Sequence, residues 1–353
     1  MSQKVYVGMS GGVDSSVTAA LLKEQGYQVT GVYMKNWSQD LPGFACPWKQ
    51  DYQDAKRVAV QLGIPFKMYD FETEYRQRVV DYMVAEYQAG RTPNPDVMCN
   101  QEIKFKMFLE TALEDGADLI ATGHYARVQD GQLLEAANAD KDQMYFLYRV
   151  REDALKHSLM PIGEFATKAE VRAKAAELGL ATAAKKDSQG ICFVGKVGIK
   201  DFLLHELGPQ PHGDIVDQNG MTMGEHDGAI FYTIGQRHGL HVGGGLPFYV
   251  TGKDMASNVV YVTTDLQDAN LWRPELTITD LHWINGAPDP DKSYHVRTRY
   301  RANLVPCRVV LEDGSLKAGT AKVMLDEEVR AITPGQSAVL YDSNRVVGGG
   351  IVV

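Results

Sequence analysis

Two cysteines and a carboxylate carry the residue types that could do covalent chemistry. In Gly90-Arg91-Thr92-Pro93-Asn94-Pro95-Asp96-Val97-Met98-Cys99-Asn100 two prolines stiffen the backbone and set a carboxylate three residues before a thiol. Asp96 could take or give a proton while Cys99 attacks or resolves, and Lys104 and Lys106 shortly afterwards would favour the thiolate. A rigid turn around an inert, packed cysteine explains the same residues. The second thiol, Cys192, follows Lys185-Lys186-Asp187-Ser188-Gln189-Gly190-Ile191. The two lysines would lower its pKa if they lie close, while flanking Ile191 and Phe193 fit equally well an edge strand holding a buried cysteine. Only a fold can bring two thiols so far apart in sequence together.

A different chemistry is written into Gly8-Met9-Ser10-Gly11-Gly12-Val13-Asp14-Ser15-Ser16. Val5-Tyr6-Val7 before it reads as a strand, and the residues from Val17 to Lys23 read as a helix ended near Gly26. Glycines let backbone approach an oxyanion without Cβ clashes, and loop amides with a helix N-terminus supply partial positive charge, so the segment is a cradle for phosphate rather than an ordinary tight turn. The lysine of a Walker loop is absent, and the adjacent glycines do not fit the spaced dinucleotide pattern. The string resembles the PP-loop of the ATP pyrophosphatases, which split ATP into AMP and diphosphate.

Elements must position these groups. From Lys4 to about Gly123 apolar runs at Val29 to Met34, Phe66 to Tyr69 and Leu119 to Thr122 alternate with helical stretches, which implies a parallel sheet. The helix at Tyr52 to Leu62 is stopped by Gly63 and Pro65, and a further helix opens on the capping box Thr167 to Glu170 and ends at Gly179. Loops at the carboxyl ends of such strands line the crevice of a doubly wound fold, so Gly123 is expected near the nucleotide and His124 near a substrate, although a lone loop histidine is as readily just solvated. Beyond about Phe202 glycines and turn residues crowd in and helical periodicity fades. From about Leu271 short strands alternate with Gly, Pro and Asp turns, as in a small β-barrel. Within it, period-two alternation puts His295, Arg297, Arg299 and Arg301 on one strand face, which could follow a phosphate backbone or be a charged, solvated edge.

The 353 residues, 44% hydrophobic and 23% charged, suffice for two or three domains with sizeable cores. No apolar run approaches the ~20 residues of a membrane span, and the start of the chain has neither a secretory nor a transit pattern, so a cytoplasmic enzyme with no membrane partner is expected. Four cysteines, Cys46, Cys99, Cys192 and Cys307, are too few for a disulfide scaffold and lack zinc-site spacing. A net charge of −9 weighs mildly against nucleic acid unless a local basic patch overrides it.

The strings SGGVDSS, GVYMKNW, GRTPNPDVMCN, ATGHYARV, KDQMYFLYR, DSQGICFVG and TIGQRHGL, in this order, together resemble the tRNA-specific 2-thiouridylases. Met144 and Gln189 stand where that family usually has serine and threonine, and Leu240-His241-Val242 varies a Gly-rich segment. The resemblance implies an α/β fold: a parallel, doubly wound, Rossmann-like PP-loop domain (residues 1–200), a small central tRNA-contacting domain (201–270) and a C-terminal β-barrel (271–353). It implies ATP on Gly8, Met9, Ser10, Gly11, Gly12, Val13, Asp14 and Ser15, with Met34 and Gly123 flanking the adenosine and Mg²⁺ on the phosphates. Asn94, Pro95 and Asp96 would meet the flipped wobble uridine of the tRNAs for Lys, Glu and Gln, since a base must leave the stack before chemistry can reach it. Lys141, Asp142 and Gln143, with Arg299 and Tyr300 of the barrel, would touch tRNA, and His124 and Gln336 are further contact candidates. By the same comparison Cys192 carries a persulfide loaded by a cysteine desulfurase or a sulfur-relay protein, Cys99 attacks or resolves it, Asp96 is the general acid/base, and the protein acts as a monomer. Rival readings are a PP-loop ligase that aminates an adenylated small molecule, an ATP-responsive RNA-binding protein, and a redox protein built on the two cysteines.

Overall fold

The computed structural model describes residues 2–43, 45–186, 198–240, 242–243, 245–311 and 319–353. The apolar run after Lys4 forms β1 (Lys4–Gly8), buried from Val5 onward. It is followed by helix α1 (Val13–Glu24), β2 (Gln28–Lys35), helix α2 (Trp48–Leu62) and β3 (Phe66–Asp70). Two long helical stretches, 72–88 and 95–114, lead to β4 (Leu119–Ala121), and the hairpin β5 (Arg127–Gln129) and β6 (Gln132–Leu134) precedes the short β7 (Ser158–Leu159). The first sheet has the order β3-β2-β1-β4-β7, with every neighbouring pair parallel.

Alternation along β1 assigns the two faces. Val5 and Val7 pack with Val17, Ala20 and Val58 of α1 and α2, whereas Tyr6 packs with Val79, Met83, Ile103 and Phe108 of the two later helices. A strand covered on both faces in this way is what a doubly wound parallel sheet requires, and the expected fold class holds. The order reverses between β1 and β4, so the crevice at their carboxyl ends opens beside Gly8 and the residues after Ala121. Half of the expected capping box forms: Thr167 Oγ1 accepts the Glu170 N–H at 3.2 Å and starts the helix Lys168–Glu177. The Glu170 carboxylate reaches back to the Ala166 N–H rather than to that of Thr167. Helix α2 begins four residues before the expected Tyr52.

A second sheet, in the order β10-β11-β8-β9, is made of β8 (Gly213–Val216), β9 (Thr222–His226), β10 (Tyr249–Asp254) and β11 (Val259–Thr263), around Ile215, Val250, Val260 and Val262. The third contains β12 (Trp272–Trp283), β13 (Tyr294–Arg297), β14 (Val305–Leu311), β15 (Thr320–Arg330), β16 (Ser337–Asp342) and β17 (Arg345–Val352). Pairing of β12 with β17 closes these six antiparallel strands into a barrel filled by Ile278, Val296, Val309, Val323 and Leu340.

Two features of the barrel differ from the sequence reading. First, β13 stops at Arg297, and Arg301 has φ +62° in a turn closed by the Ala302 N–H on the Arg299 carbonyl. A left-handed residue cannot continue an extended strand, so the four basic residues do not share one strand face: His295 and Arg297 lie on β13, Arg299 and Arg301 on the turn after it. Second, the β5–β6 hairpin of the N-terminal half joins the barrel sheet beside β17, through Leu134 opposite Arg345.

Side chains lock the same junction. Tyr145, fully buried, donates its hydroxyl to the Ser337 carbonyl at 2.8 Å. Arg149, 7% exposed, donates to the Asp280 carbonyl and pairs with its carboxylate, both at 2.8 Å. Tyr145→Phe removes one hydrogen bond and strands a buried carbonyl, so it is expected to lower stability by roughly 1–2 kcal/mol in urea unfolding. An unchanged midpoint would mean that Tyr145 holds the barrel by packing alone.

Candidate active site

The phosphate loop sits where the sheet order reverses. Gly11 has φ +75°, and a Cβ there would overlap the Asp51 carbonyl of α2, so only glycine fits. The Ser15 hydroxyl accepts the Ser10 N–H and donates to the Gly12 carbonyl, each at 3.2 Å, and Gly12 caps α1 without a side-chain hydrogen bond. Met9 and Val13 are buried beneath the loop. A Cβ on Gly8 would stand 2.9 Å from the Met34 methyl, and one on Gly123 would stand 2.8 Å from the Ser15 nitrogen. The structure therefore brings together Gly8 to Ser15, Met34 and Gly123. Asp14 is held by the Lys168 ammonium, 2.7 Å from each carboxylate oxygen, and by the Tyr125 hydroxyl at 3.0 Å. Among the described residues no three His, Cys, Asp or Glu side chains group to hold an ion by themselves.

One residue beyond Gly123 begins the thiol pocket. Asn94 caps the next helix, accepting the Val97 N–H, with Pro95 in its first position, Asp96 in its first turn and Cys99 at the head of a π-helical segment Cys99–Met107. Lys104, one turn on, lies 3.5 Å from His124 Nε2, and His124 Nδ1 lies 2.8 Å from the Thr122 hydroxyl. An ammonium can only donate, so Nε2 faces it as the acceptor and Nδ1–H points to Thr122. Burial pushes the Asp96 carboxyl up against the pull of Lys104. Burial likewise raises the Cys99 thiol, with Lys104 and a Tyr75 hydrogen bond acting the other way and Asp96 adding to the rise. It drives the His124 imidazole well below its ordinary value, and Lys104 lowers it further.

These surroundings correct three expectations. Lys104 does favour a thiolate at Cys99, but desolvation outweighs it and the resting group is a thiol. Lys106 takes no part, because it pairs with Glu102 at 2.9 Å. His124 is no loop-surface histidine: it is 8% exposed, neutral and packed 5.6 Å from the Phe105 ring.

The loop before Asp96 is clamped from two sides. Gln336 of the barrel donates its side-chain amide to the Thr92 carbonyl at 2.7 Å, and the Thr92 N–H donates to the Pro334 carbonyl at 2.9 Å. The Thr92 hydroxyl meets that of Thr233 at 3.1 Å. Gln336, expected to contact tRNA, thus spends its amide on the site loop. Asp142 and Gln143 are similarly occupied. The Asp142 carboxylate is buried and accepts the N–H groups of Ala136 and Met144 at 2.9 and 3.1 Å. Gln143 Oε1 accepts the Tyr125 N–H at 2.9 Å. Lys141 stands with Arg297, Tyr300 and Arg301 around an open cleft of about 820 Å³. Tyr300 packs on Phe146 at 4.4 Å between ring centroids, beside the exposed Arg299.

Cys192 lies outside the described residues. Lys185, expected to lower its pKa, is engaged elsewhere, 2.8 Å from Asp51 and 2.7 Å from Asp54. The sequence reading missed Lys168, Tyr125 and Thr122 around the two sites. For Lys168 a signal existed, a cation directly after the N-cap Thr167, where the helix dipole disfavours it. Tyr125 and Thr122 flank a recognised string but carry no signal of their own.

Three family models match in succession: a tRNA methyl transferase HUP domain over residues 3–196, a tRNA methyl transferase PRC-barrel domain over 200–264, and an aminomethyltransferase beta-barrel domain over 273–352. A protein of Bacillus subtilis named tRNA-specific 2-thiouridylase MnmA is 48% identical over 359 residues, covering 99% of this chain and 94% of its own. One of the same name from Methylobacillus flagellatus is 47% identical and covers 100% of this chain and 99% of its own. The chain belongs to the tRNA-specific 2-thiouridylase family. A solved structure described as a 4-thiouridine synthetase–RNA complex with bound ATP overlaps 54% of this chain and 44% of its own at 20% identity, with a TM-score of 0.37.

Burial pushes Asp142 up to about 6 from an ordinary 3.8, against the two N–H groups that lower it. The folded state then binds this proton more tightly than the unfolded one, a contribution fully present below about pH 4 and lost as pH rises through about 6. Relative to Asp142→Asn, the protein should gain roughly 3 kcal/mol between pH 7 and pH 4. Parallel stability profiles for the two proteins would sink this assignment.

Proposed function

We propose that this protein is an ATP-dependent tRNA uridine 2-sulfurtransferase that converts the wobble uridine of the tRNAs for Lys, Glu and Gln to 2-thiouridine, with AMP and diphosphate as products. The observation that carries the reading is the single step from Gly123, packed on the phosphate loop at Ser15, to His124, which lies 3.5 Å from Lys104, the ammonium that acts on both Asp96 and Cys99. An adenylating centre and a sulfur-handling centre need this adjacency, because the activated base must reach both. Family membership over nearly the whole chain supports the same reaction.

Uracil C2 bears a poor leaving oxygen, and ATP supplies the adenylyl group that makes that oxygen leave. The cradle fits phosphates: Gly11 lets the loop lie against α2, Gly123 lets the end of β4 lie against Ser15, and α1 presents an N-terminus without a side-chain cap. Asp14 is the loop carboxylate that would hold Mg²⁺ with the phosphates. Asn94, Pro95 and Asp96 would line the place for the flipped base, and burial raises the Asp96 carboxyl above its ordinary value, which suits it to exchange a proton with the base as general acid/base. Cys192 would carry the persulfide. Its outer sulfur bonds to C2 as AMP departs with O2; the Cys99 thiolate attacks the inner sulfur, the S–S bond to the outer sulfur breaks, and a Cys99–Cys192 disulfide remains for an external dithiol to reduce. Alternatively Cys99 frees the outer sulfur as hydrosulfide before it meets the base. A cysteine desulfurase or relay protein recharges Cys192, in the cytoplasm, and one monomer serves one tRNA.

Purified protein incubated with ATP, Mg²⁺, a persulfide donor and unmodified tRNA for Glu should yield 2-thiouridine at the wobble position. Cys99→Ser and Cys192→Ser should each abolish the product while leaving tRNA affinity within a few fold, because neither removes a phosphate contact. Normal thiolation by either variant would remove the cysteines from the mechanism, and diphosphate release without thiouridine would make the substrate wrong. Arg299→Ala should flatten the salt dependence of tRNA binding by about one unit of slope. An unchanged slope would mean that the exposed arginine is merely solvated.

A further inference from the structure

The phosphate loop, residues 8–16, contains no lysine, although it is read here as the seat of a polyanion. Lysine reaches it from elsewhere. Lys168 lies 154 positions after Asp14 and places its ammonium 2.7 Å from both carboxylate oxygens, 5.6 Å from the centre of the Tyr125 ring. It is the first residue of the ten-residue helix Lys168–Glu177, where the positive end of the dipole repels a cation. Helix stability does not ask for lysine there; a negative partner does. The pair is partly open to solvent, with side-chain exposures of 16% for Lys168 and 29% for Asp14, so the ammonium can exchange partners without crossing a buried barrier.

Lys185 flanks the loop on the side of α2, but it is shared between two carboxylates outside the loop, Asp51 and Asp54. Lys168 is instead held on the loop's own carboxylate, Asp14. Asp14 is also the one carboxylate in residues 8–16, and Mg²⁺ bound with phosphates typically takes one or two carboxylates. A metal on Asp14 would compensate that carboxylate when the ammonium leaves it.

Resting on the nucleotide reading above, we propose that Lys168 is the cation of the nucleotide site: it is held on Asp14 in the empty loop and moves to the phosphates when Mg²⁺–ATP binds, leaving Asp14 to the metal. Lys168 thereby supplies from a distant helix the charge that other phosphate loops carry within themselves.

Calorimetric titration of the full-length protein without tRNA tests this, with Mg²⁺–ATP and adenosine as separate ligands. Lys168→Met should weaken ATP by about tenfold or more and adenosine by less than about threefold, and Lys168→Arg should stay near wild type for both. The loss caused by Lys168→Met should persist in an Asp14→Asn background. If that background abolishes the loss, Lys168 only restrains Asp14 and the proposal falls. Equal losses for ATP and adenosine, or wild-type ATP affinity in Lys168→Met, overturn it as well. Wild-type protein that binds adenosine and ATP no better than a control overturns the nucleotide reading itself, a result separate from the other three.

Discussion

Much of this structure serves one electrostatic constraint: a half-buried carboxylate and a buried thiol stand within reach of the same ammonium, that of Lys104. Asp96, Cys99 and Lys104 occupy successive turns of one helix, and His124 closes the group from the end of β4. Removing such groups from water is costly, so burial pushes the acids and the imidazole toward their neutral forms, and Lys104 opposes that at both acids. The scaffold around it is built to keep the burial intact. Helices 72–88 and 95–114 pack Val79, Met83, Ile103 and Phe108 behind it, and Asn100 fixes the helix to the Phe146 carbonyl at 3.1 Å.

The same constraint explains why three sheets are interlocked rather than strung together. A buried site entered by a macromolecule needs an entrance loop that is held from outside the catalytic sheet. Thr92 is that point, with its N–H and carbonyl bonded to the barrel at Pro334 and Gln336 and its hydroxyl on Thr233. The barrel is in turn tied to the sheet by β5–β6, Tyr145 and Arg149. Tyr125 extends the connection, joining Asp14 of the phosphate loop to Gln143 beside the cleft where Tyr300 packs on Phe146. The nucleotide loop and the basic cleft are thus connected through short, directional contacts.

What the sequence disclosed follows from which of these interactions are local. The phosphate loop, the parallel strands and the Thr167 cap are written in contiguous residues, and each was read correctly because glycine turns, β-branched runs and capping boxes act over a few positions. Strand β17 was missed: Gly348, Gly349 and Gly350 dilute its apolar signal, and its pairing with β12 is decided across the barrel. The π-helical turn at Cys99 leaves no trace in residue spacing. Burial of His124 was misjudged because it depends on Phe105 and Thr122 from two other positions in the chain, and the fates of Asp142, Gln143 and Gln336 depend on partners no motif names.

The described cysteines make the last point by contrast. Cys46, Cys99 and Cys307 all have thiols raised chiefly by burial. Around Cys307, pushed up to about 12, the neighbouring charge is Asp326, and around Cys46 the charges are Asp40, Asp51 and Glu72, all of which oppose ionisation. Cys99 alone among them faces an ammonium, that of Lys104, which also stands 3.5 Å from the neutral imidazole of His124. A thiol held protonated by burial yet facing a ready cation resists chance oxidation at rest and can ionise when a base or a sulfur enters the pocket. Burial dominates all three thiols, and what sets Cys99 apart among the described ones is the Lys104 ammonium that pulls against it.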